Sequence, residues 1–220
     1  MRALSASQFY ACSGVNAASV RARVSRGDNA MAFGLAGPLA GGTYLDLDCV
    51  ALLLVDELMP AFGRKFAPTL VRAHGDNWLL AVGLADTVAE PVWWFVFEQG
   101  PPPTPKPGYI GHRLPPDLHR DKYHVAVGTF ADFAKLNRFA ELPIDKRPVR
   151  FTGVNVSDIL RRIRENAARA GLDLSAPFFP PPSDPLHQQV VEAAKKERND
   201  ALALFHQQRM ATLAGKPAPR

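Results

Sequence analysis

The sequence predicts an α+β chain in three parts: a helix–turn–helix module at the N-terminus, a small mixed α/β domain, and a C-terminal helix. Three observations predict it. Two short amphipathic segments flank Gly14, with apolar residues at three- and four-residue spacing. After residue 74 the chain turns to runs rich in β-branched and aromatic side chains, such as Val92–Phe97 (VWWFVF). Two proline-rich breaks, Gly100–Gly108 (GPPPTPKPG) and Phe178–Pro185 (FFPPPSDP), interrupt the second half of the chain, and a long polar helical pattern comes after the later one. These divisions give parts at 1–74, 75–180 and 181–220.

The first helix is predicted from Ser5 and Gln8, which hold the S-x-x-Q spacing of a capping box. Phe9, Cys12 and Ala11 supply its inward face. Gly14 suits the left-handed residue that ends a helix, and Val15 packs beneath the turn. Asn16 is a favoured N-cap for a second helix, Ala17–Ser25. Val20 and Val24 repeat at i, i+4 and turn inward. Arg21 cannot share their face, so it points outward, with Arg23 and Arg26 accessible beside it. In a helix–turn–helix the second helix is the one that enters the DNA major groove, touching bases through its first turns.

Asp28–Gly42 comes next, and Gly34, Gly37, Pro38, Gly41 and Gly42 suit a hairpin or wing. It holds no Lys or Arg, so backbone amides would have to meet phosphate there. Asp46 or Asp48 is expected to cap a helix through Cys49 to Met59, with Pro60 just past its end and Leu52, Leu53, Val55 and Leu58 buried. Phe62–Ala73 reads as a further short helix around Phe66, Leu70 and Val71.

These residues resemble a family. QFYACSGVNAASVRARVSRG is similar to the helix–turn–helix of the MerR family of winged-helix regulators, and to the excisionases that share that fold. The Gly14-Val15 turn, Val20 six residues after Gly14, and Arg21 next to Val20 fall in the family register. Gly42-Thr43-Tyr44-Leu45-Asp46-Leu47-Asp48, leading into Cys49–Leu58, resembles the end of the family's wing and the helix after it. The likeness spans about the first 60 residues, one small domain. Ala18 stands where the family usually has a basic residue, and Ala22 and Arg23 where it has aromatics. The family's dimerising coiled coil does not come directly after.

The middle of the chain reads as mixed structure. Trp78–Ala85 (WLLAVGLA) and Val92–Phe97 suit two strands of a hairpin across Asp86–Pro91, with Trp93 and Trp94 on opposite faces. His112, His119 and His124, with Asp117 and Asp121, match no standard zinc spacing, so the stretch reads as a polar loop and no metal is expected; Arg113, Arg120 and Lys122 make phosphate contact the better alternative to a metal. Lys122–Gly128 suits a third strand, Ala131–Glu141 an amphipathic helix through Phe133, Leu136 and Phe139, and Pro148–Val154 a further strand.

Ser157 is expected to cap a strong helix reaching Ala170 and stopped by Gly171. Ile159, Leu160, Ile163 and Ala167 form its inner face; Arg161, Arg162, Arg164 and Arg169 read as a solvated basic face. Gly153-Val154-Asn155 echoes Gly14-Val15-Asn16, which raises the alternative of a second DNA-reading helix. Leu186–Leu213 reads as a polar helix that self-associates or docks on the body, with a frayed GKPAPR end.

Whole-chain features bound the function. At 220 residues and 47% hydrophobic content the chain can bury a core and is not disordered. Its net charge of +5 fits a nucleic-acid partner without requiring one. Cys12 and Cys49 read as reduced core thiols of a cytosolic protein, with a sensor disulfide as the alternative. Polar residues come after Met1-Arg2, so no signal peptide is expected, and the longest apolar run, Cys49–Val55, is far too short to span a bilayer. There is no Gly-rich phosphate loop, G-x-S-x-G or H-E-x-x-H motif, so neither catalysis nor a cofactor is expected.

The resemblance and the residues together lead to one expected function: a sequence-specific DNA-binding transcription regulator of bacterial or phage type. Asn16, Ala18, Ser19, Arg21, Ala22 and Arg23 would face the bases, with Arg26 and the wing on the backbone. Double-stranded DNA, a homodimer on an inverted repeat, and a protein or small-molecule effector on the middle domain are the expected partners, in the cytoplasm at the nucleoid. Two alternatives remain: an excisionase-like factor that bends DNA, and an enzymatic or small-molecule site framed by Trp78, Trp93 and Trp94, with the N-terminal helices as an interaction module.

Overall fold

The computed structural model describes residues 2–25, 43–64, 66–99, 123–136, 148–186, 188, 189 and 192. The stretch expected as a Gly-rich wing, the proline-rich Gly100–Gly108 segment, the His-containing stretch and most of the expected Leu186–Leu213 helix lie outside them.

The N-terminal elements form where local signals place them. Strand β1 (Ala3–Ser5) runs into helix α1 (Ala6–Ser13). The Ser5 hydroxyl accepts from the Gln8 amide at 3.3 Å, and the Gln8 side chain accepts from the Ser5 amide at 2.8 Å, closing the capping box. Gly14 ends α1 at φ 67°, its N–H donating to the Tyr10 carbonyl at 3.0 Å. Helix α2 covers Ala17–Ser25, and strand β2 (Thr43–Leu45) returns to pair antiparallel with β1, Leu4 opposite Tyr44.

Helix α3 (Asp46–Phe62) is longer than expected at both ends. Its start is secured by Asp48, whose carboxylate reaches back to accept from the Leu45 amide at 2.7 Å. Pro60 lies inside the helix rather than beyond it. Its missing N–H forgoes one bond within the last turn, which the Gly63 N–H to Met59 carbonyl bond at 2.8 Å then closes. Helices α4 (Phe66–Ala73) and α5 (Gly75–Ala85) come next.

Helix α5 corrects an expectation, because WLLAVGLA is helical and the predicted hairpin does not form. A continuous apolar run carries no period, so strand and buried helix read alike. The His74 carbonyl takes the amides of Asn77 and Trp78, which starts the helical turn, and the Trp78 indole donates to the Val71 carbonyl of α4 at 3.1 Å. Burial of Trp78, Leu79, Ala81 and Val82 explains the unbroken hydrophobicity.

Strands β3 (Val92–Gln99), β4 (Tyr123–Thr129) and β5 (Pro148–Asn155) form an antiparallel sheet in the order β4-β3-β5. Helix α6 (Phe130–Leu136) starts directly at the end of β4. As alternation requires, Val92, Trp94 and Val96 join the main core, while Phe95 and Phe97 pack with Phe133 of α6 and the half-buried Trp93 on the other face.

Helix α7 (Val156–Arg169) is capped by Asn155, whose side chain accepts from the Asp158 amide at 3.0 Å, rather than by Ser157. The Ser157 hydroxyl instead accepts from the Val92 amide at 3.0 Å, tying the helix to β3. Gly153 and Val154 pair with Phe95 and Trp94 in the sheet, so the echo of the N-terminal turn is not a second helix pair. The outer face of α7 is solvent-facing at Arg161 and Arg169, but three of its four arginines are paired with acids. Arg161 binds Asp158 and Glu165, Arg162 reaches Glu57 of α3 at 2.6 Å and Asp158 at 3.2 Å, and Arg164 binds Asp86.

One apolar cluster runs from Leu4 to Phe179, holding Phe9, Cys49, Leu54 and Leu58 together with Trp78, Trp94, Ile159, Ile163 and Phe178. The division drawn after residue 74 falls inside this cluster. Helix α7 packs on α1, α3 and α5 alike, which makes it the spine of the described residues. Among those residues, no helix is long and apolar enough to cross a membrane, and no three metal-ligating side chains cluster.

Candidate nucleic-acid interface

Helix α2 begins where Asn16 caps it. The Asn16 side chain accepts from the Ala18 amide at 2.7 Å, and its carbonyl takes the Val20 amide at 3.1 Å. Val20 is buried, as are Phe9 and Cys12 of α1. With Val20 held inward, the other residues of the turn face out: Asn16, Ala18, Ser19 and Arg21 are exposed and Ala22 is half-buried. The side chains of Arg23 and Val24, and Arg26 as a whole, lie outside the described residues. Ala18, Arg21 and Ala22 stand at i, i+3 and i+4, one strip along the helix.

The electrostatics of this strip are simple. Residues 1–27 hold Arg2, Arg21, Arg23 and Arg26 and no acidic residue. No acid occupies the first turn of α2, so its own side chains leave the partial positive charge of the helix N-terminus uncancelled.

Aromatic rings join α1 to β2. Phe9 stacks on Tyr44 of β2 with centroids 4.2 Å apart, and Tyr10 packs edge-on against Phe9 at 5.5 Å. Burial and a side-chain hydrogen bond with Tyr10 push the Tyr44 phenol up to about 12, while the positive charge of Arg21 pulls the other way.

Two pairs of buried titratable groups sit beneath. Cys12 and Cys49 are both free thiols, and burial pushes both upward, Cys49 more strongly. Cys49 makes a weak contact with the Phe9 carbonyl at 3.8 Å, linking α3 to α1. Asp46 is fully buried with Arg2 at 4.0 Å, and burial raises its carboxyl against the pull of that guanidinium. Asp48 is pushed up to about 6, first by burial and further by the charge of Asp46, against its bond to the Leu45 amide.

The turn between α1 and α2 is held from a distant element. The Asn166 side chain of α7 donates to the Cys12 carbonyl at 3.2 Å. Nothing in the sequence signals this contact, because the two residues are 154 positions apart. Arg2 carries no local signal for the same reason; its guanidinium binds the Ala176 carbonyl and lies 5.9 Å from the Phe178 ring.

The three tryptophans of the alternative site do not converge. Trp78 and Trp94 are fully buried in the main core, and Trp93 faces the opposite side of the sheet. The architecture is mixed α+β, with seven helices and two small antiparallel sheets among the described residues. Compared with known proteins, the chain matches no family model, no curated protein and no solved structure.

Proposed function

We propose that this chain is a DNA-binding regulator that lays α2 in the major groove, with Asn16, Ala18, Ser19, Arg21, Ala22 and Arg23 toward the bases and Arg26 toward the backbone. The observation that carries the reading is the exposed Arg21, standing on a helix whose partner face is buried and whose first turn is free of acids. A bidentate arginine on guanine is the commonest base-specific contact. The small side chains of Ala18 and Ser19 let the helix axis approach the base edges. The β1–β2 pair adds support, since it holds Thr43-Tyr44-Leu45 beside α1, where the likeness to winged-helix regulators places the strand after the wing. The chain would act as a homodimer on an inverted repeat, in the cytoplasm at the nucleoid.

The test is selection of bound genomic fragments with purified protein, then gel shifts on the recovered site. Arg21→Ala should weaken specific binding by about 10- to 100-fold, the worth of one bidentate base contact. Unchanged affinity for the selected site would remove the reading.

A further inference from the structure

We infer that Asn166 is a positioning residue for α2: from α7 it holds the end of α1 and so sets the angle at which α2 is presented to DNA. The inference rests on the proposed DNA-reading role of α2 and adds the element that controls it.

The last carbonyls of a helix have no partner within the helix. At the end of α1 the Gly14 amide serves Tyr10, and the Cys12 carbonyl is met by the Asn166 amide nitrogen at 3.2 Å. The orientation of that amide is determined, because Arg169 donates to the Asn166 oxygen at 3.3 Å. The nitrogen is therefore the atom turned to the carbonyl. The same nitrogen lies 3.0 Å from the point a Cβ on Gly14 would occupy, so Asn166 also fills the space beside the left-handed turn residue. Two residues on, Asn16 begins α2. A shift of Asn166 moves the hinge between the two helices.

Asn166 is itself placed by the far half of the chain. Val156, Ile159, Leu160, Ile163 and Ala167 bury α7, Arg162 pairs with Glu57 of α3, Arg164 with Asp86 beyond α5, and Ser157 with the Val92 amide of β3. Beside the packing of α1 on α7, this amide ties the sheet and α7 to the turn that leads into the DNA-reading helix. Nonspecific binding depends on phosphate charge, which Asn166 does not supply, whereas base readout depends on the helix being held in register.

Two uncharged variants test this: Asn166→Ala, and Asn166→Leu, which keeps nearly the same shape without a donor. Each is assayed in the full chain on the selected site and on a random duplex at one salt concentration, with hydrogen exchange of the free protein alongside. The specific-to-random affinity ratio should fall about tenfold in both, random-duplex affinity should stay within about twofold, and the Gly14 and Val15 amides should exchange faster. Wild-type ratios with wild-type exchange would overturn the inference, as would equal losses on both duplexes. If the parent protein prefers no site, the reading of α2 fails instead. Exchange at Gly14 and Val15 then decides by itself whether Asn166 holds the turn. Asn166→Leu retains the side-chain volume should Asn166→Ala loosen the fold.

Discussion

The Phe9 ring lies on the Tyr44 ring almost in parallel, 4.2 Å between centroids and 9° between planes. This pair joins the first helix to strand β2. Phe9→Ala should lower unfolding free energy by ~3–5 kcal/mol, the usual cost of emptying a fully buried phenyl site. Tyr44→Phe keeps the stack and loses only the hydroxyl's bond to Tyr10, costing about 1 kcal/mol. Urea titrations of both would settle the ranking, and a Phe9→Ala loss below that of Tyr44→Phe would contradict it.

Asp86 joins three parts of the chain. One carboxylate oxygen binds Arg164, the other accepts from the Phe178 amide at 3.2 Å, and the Arg164 guanidinium lies 4.9 Å from the Phe178 ring. Asp86→Ala strands both donors in a site where the carboxylate is 8% exposed, so a loss of ~2 kcal/mol is expected. Arg161 makes two ion pairs at the surface, and Arg161→Ala should leave the denaturation midpoint unmoved. Equal effects of the two substitutions in thermal melts would show that burial is not what separates them.

The two acids at the start of α3 predict a stability that falls with rising pH. Asp48 is pushed up to about 6 from an ordinary 3.8, so between those values the folded chain holds more protons than the unfolded one. Stability therefore drops as pH rises from about 4 to about 6 and levels off above. Asp48→Asn keeps an oxygen for the Leu45 amide and removes the charge. It should flatten that window and exceed the parent at pH 7.5 by on the order of 3 kcal/mol. Asp46 is raised by burial too and its charge acts on Asp48, so the difference curve reports Asp48 together with that coupling. Parent and variant profiles that run parallel from pH 4 to pH 6 would refute the assignment.

Gly14 and Gly171 share a left-handed backbone, at φ 67° and 73°, but differ in surroundings. A Cβ at Gly171 meets nothing within 4 Å, while one at Gly14 meets the Asn166 nitrogen at 3.0 Å. Gly171→Ala should cost only the left-handed penalty, about 1 kcal/mol, and Gly14→Ala measurably more because Asn166 must move. Paired melting curves check this, and equal midpoints would count against a tight fit at the turn.

What the sequence reveals here is local. Ser5 with Gln8, Gly14 and Asn16 announce α1, its end and the start of α2, because caps and left-handed turns depend on neighbours in the chain. The β-branched and aromatic content of VWWFVF announces β3, and strand geometry puts its adjacent tryptophans on opposite faces. WLLAVGLA misleads because a segment buried all round has no polar residue to mark a period. The arginines of α7 mislead for another reason: Arg162 and Arg164 find Glu57 and Asp86 about 80 to 105 positions away, so two charges that look free in one dimension are paired in three. Of the candidate interface, the exposure of Arg21 is legible from its spacing to Val20, while the grip of Asn166 has no local trace.

Arg2 is bound to the Ala176 carbonyl, 174 residues downstream. A chain emerging from the ribosome thus makes its first helix long before it makes the surface that helix rests on. Until α7 and Phe178 have left the exit tunnel, Phe9, Cys12 and Val20 have only part of their cover, and the fold cannot close in the order in which it is synthesised. Nascent chains halted before residue 156 should accordingly be cleaved by protease within α1 and α2, where the finished protein resists.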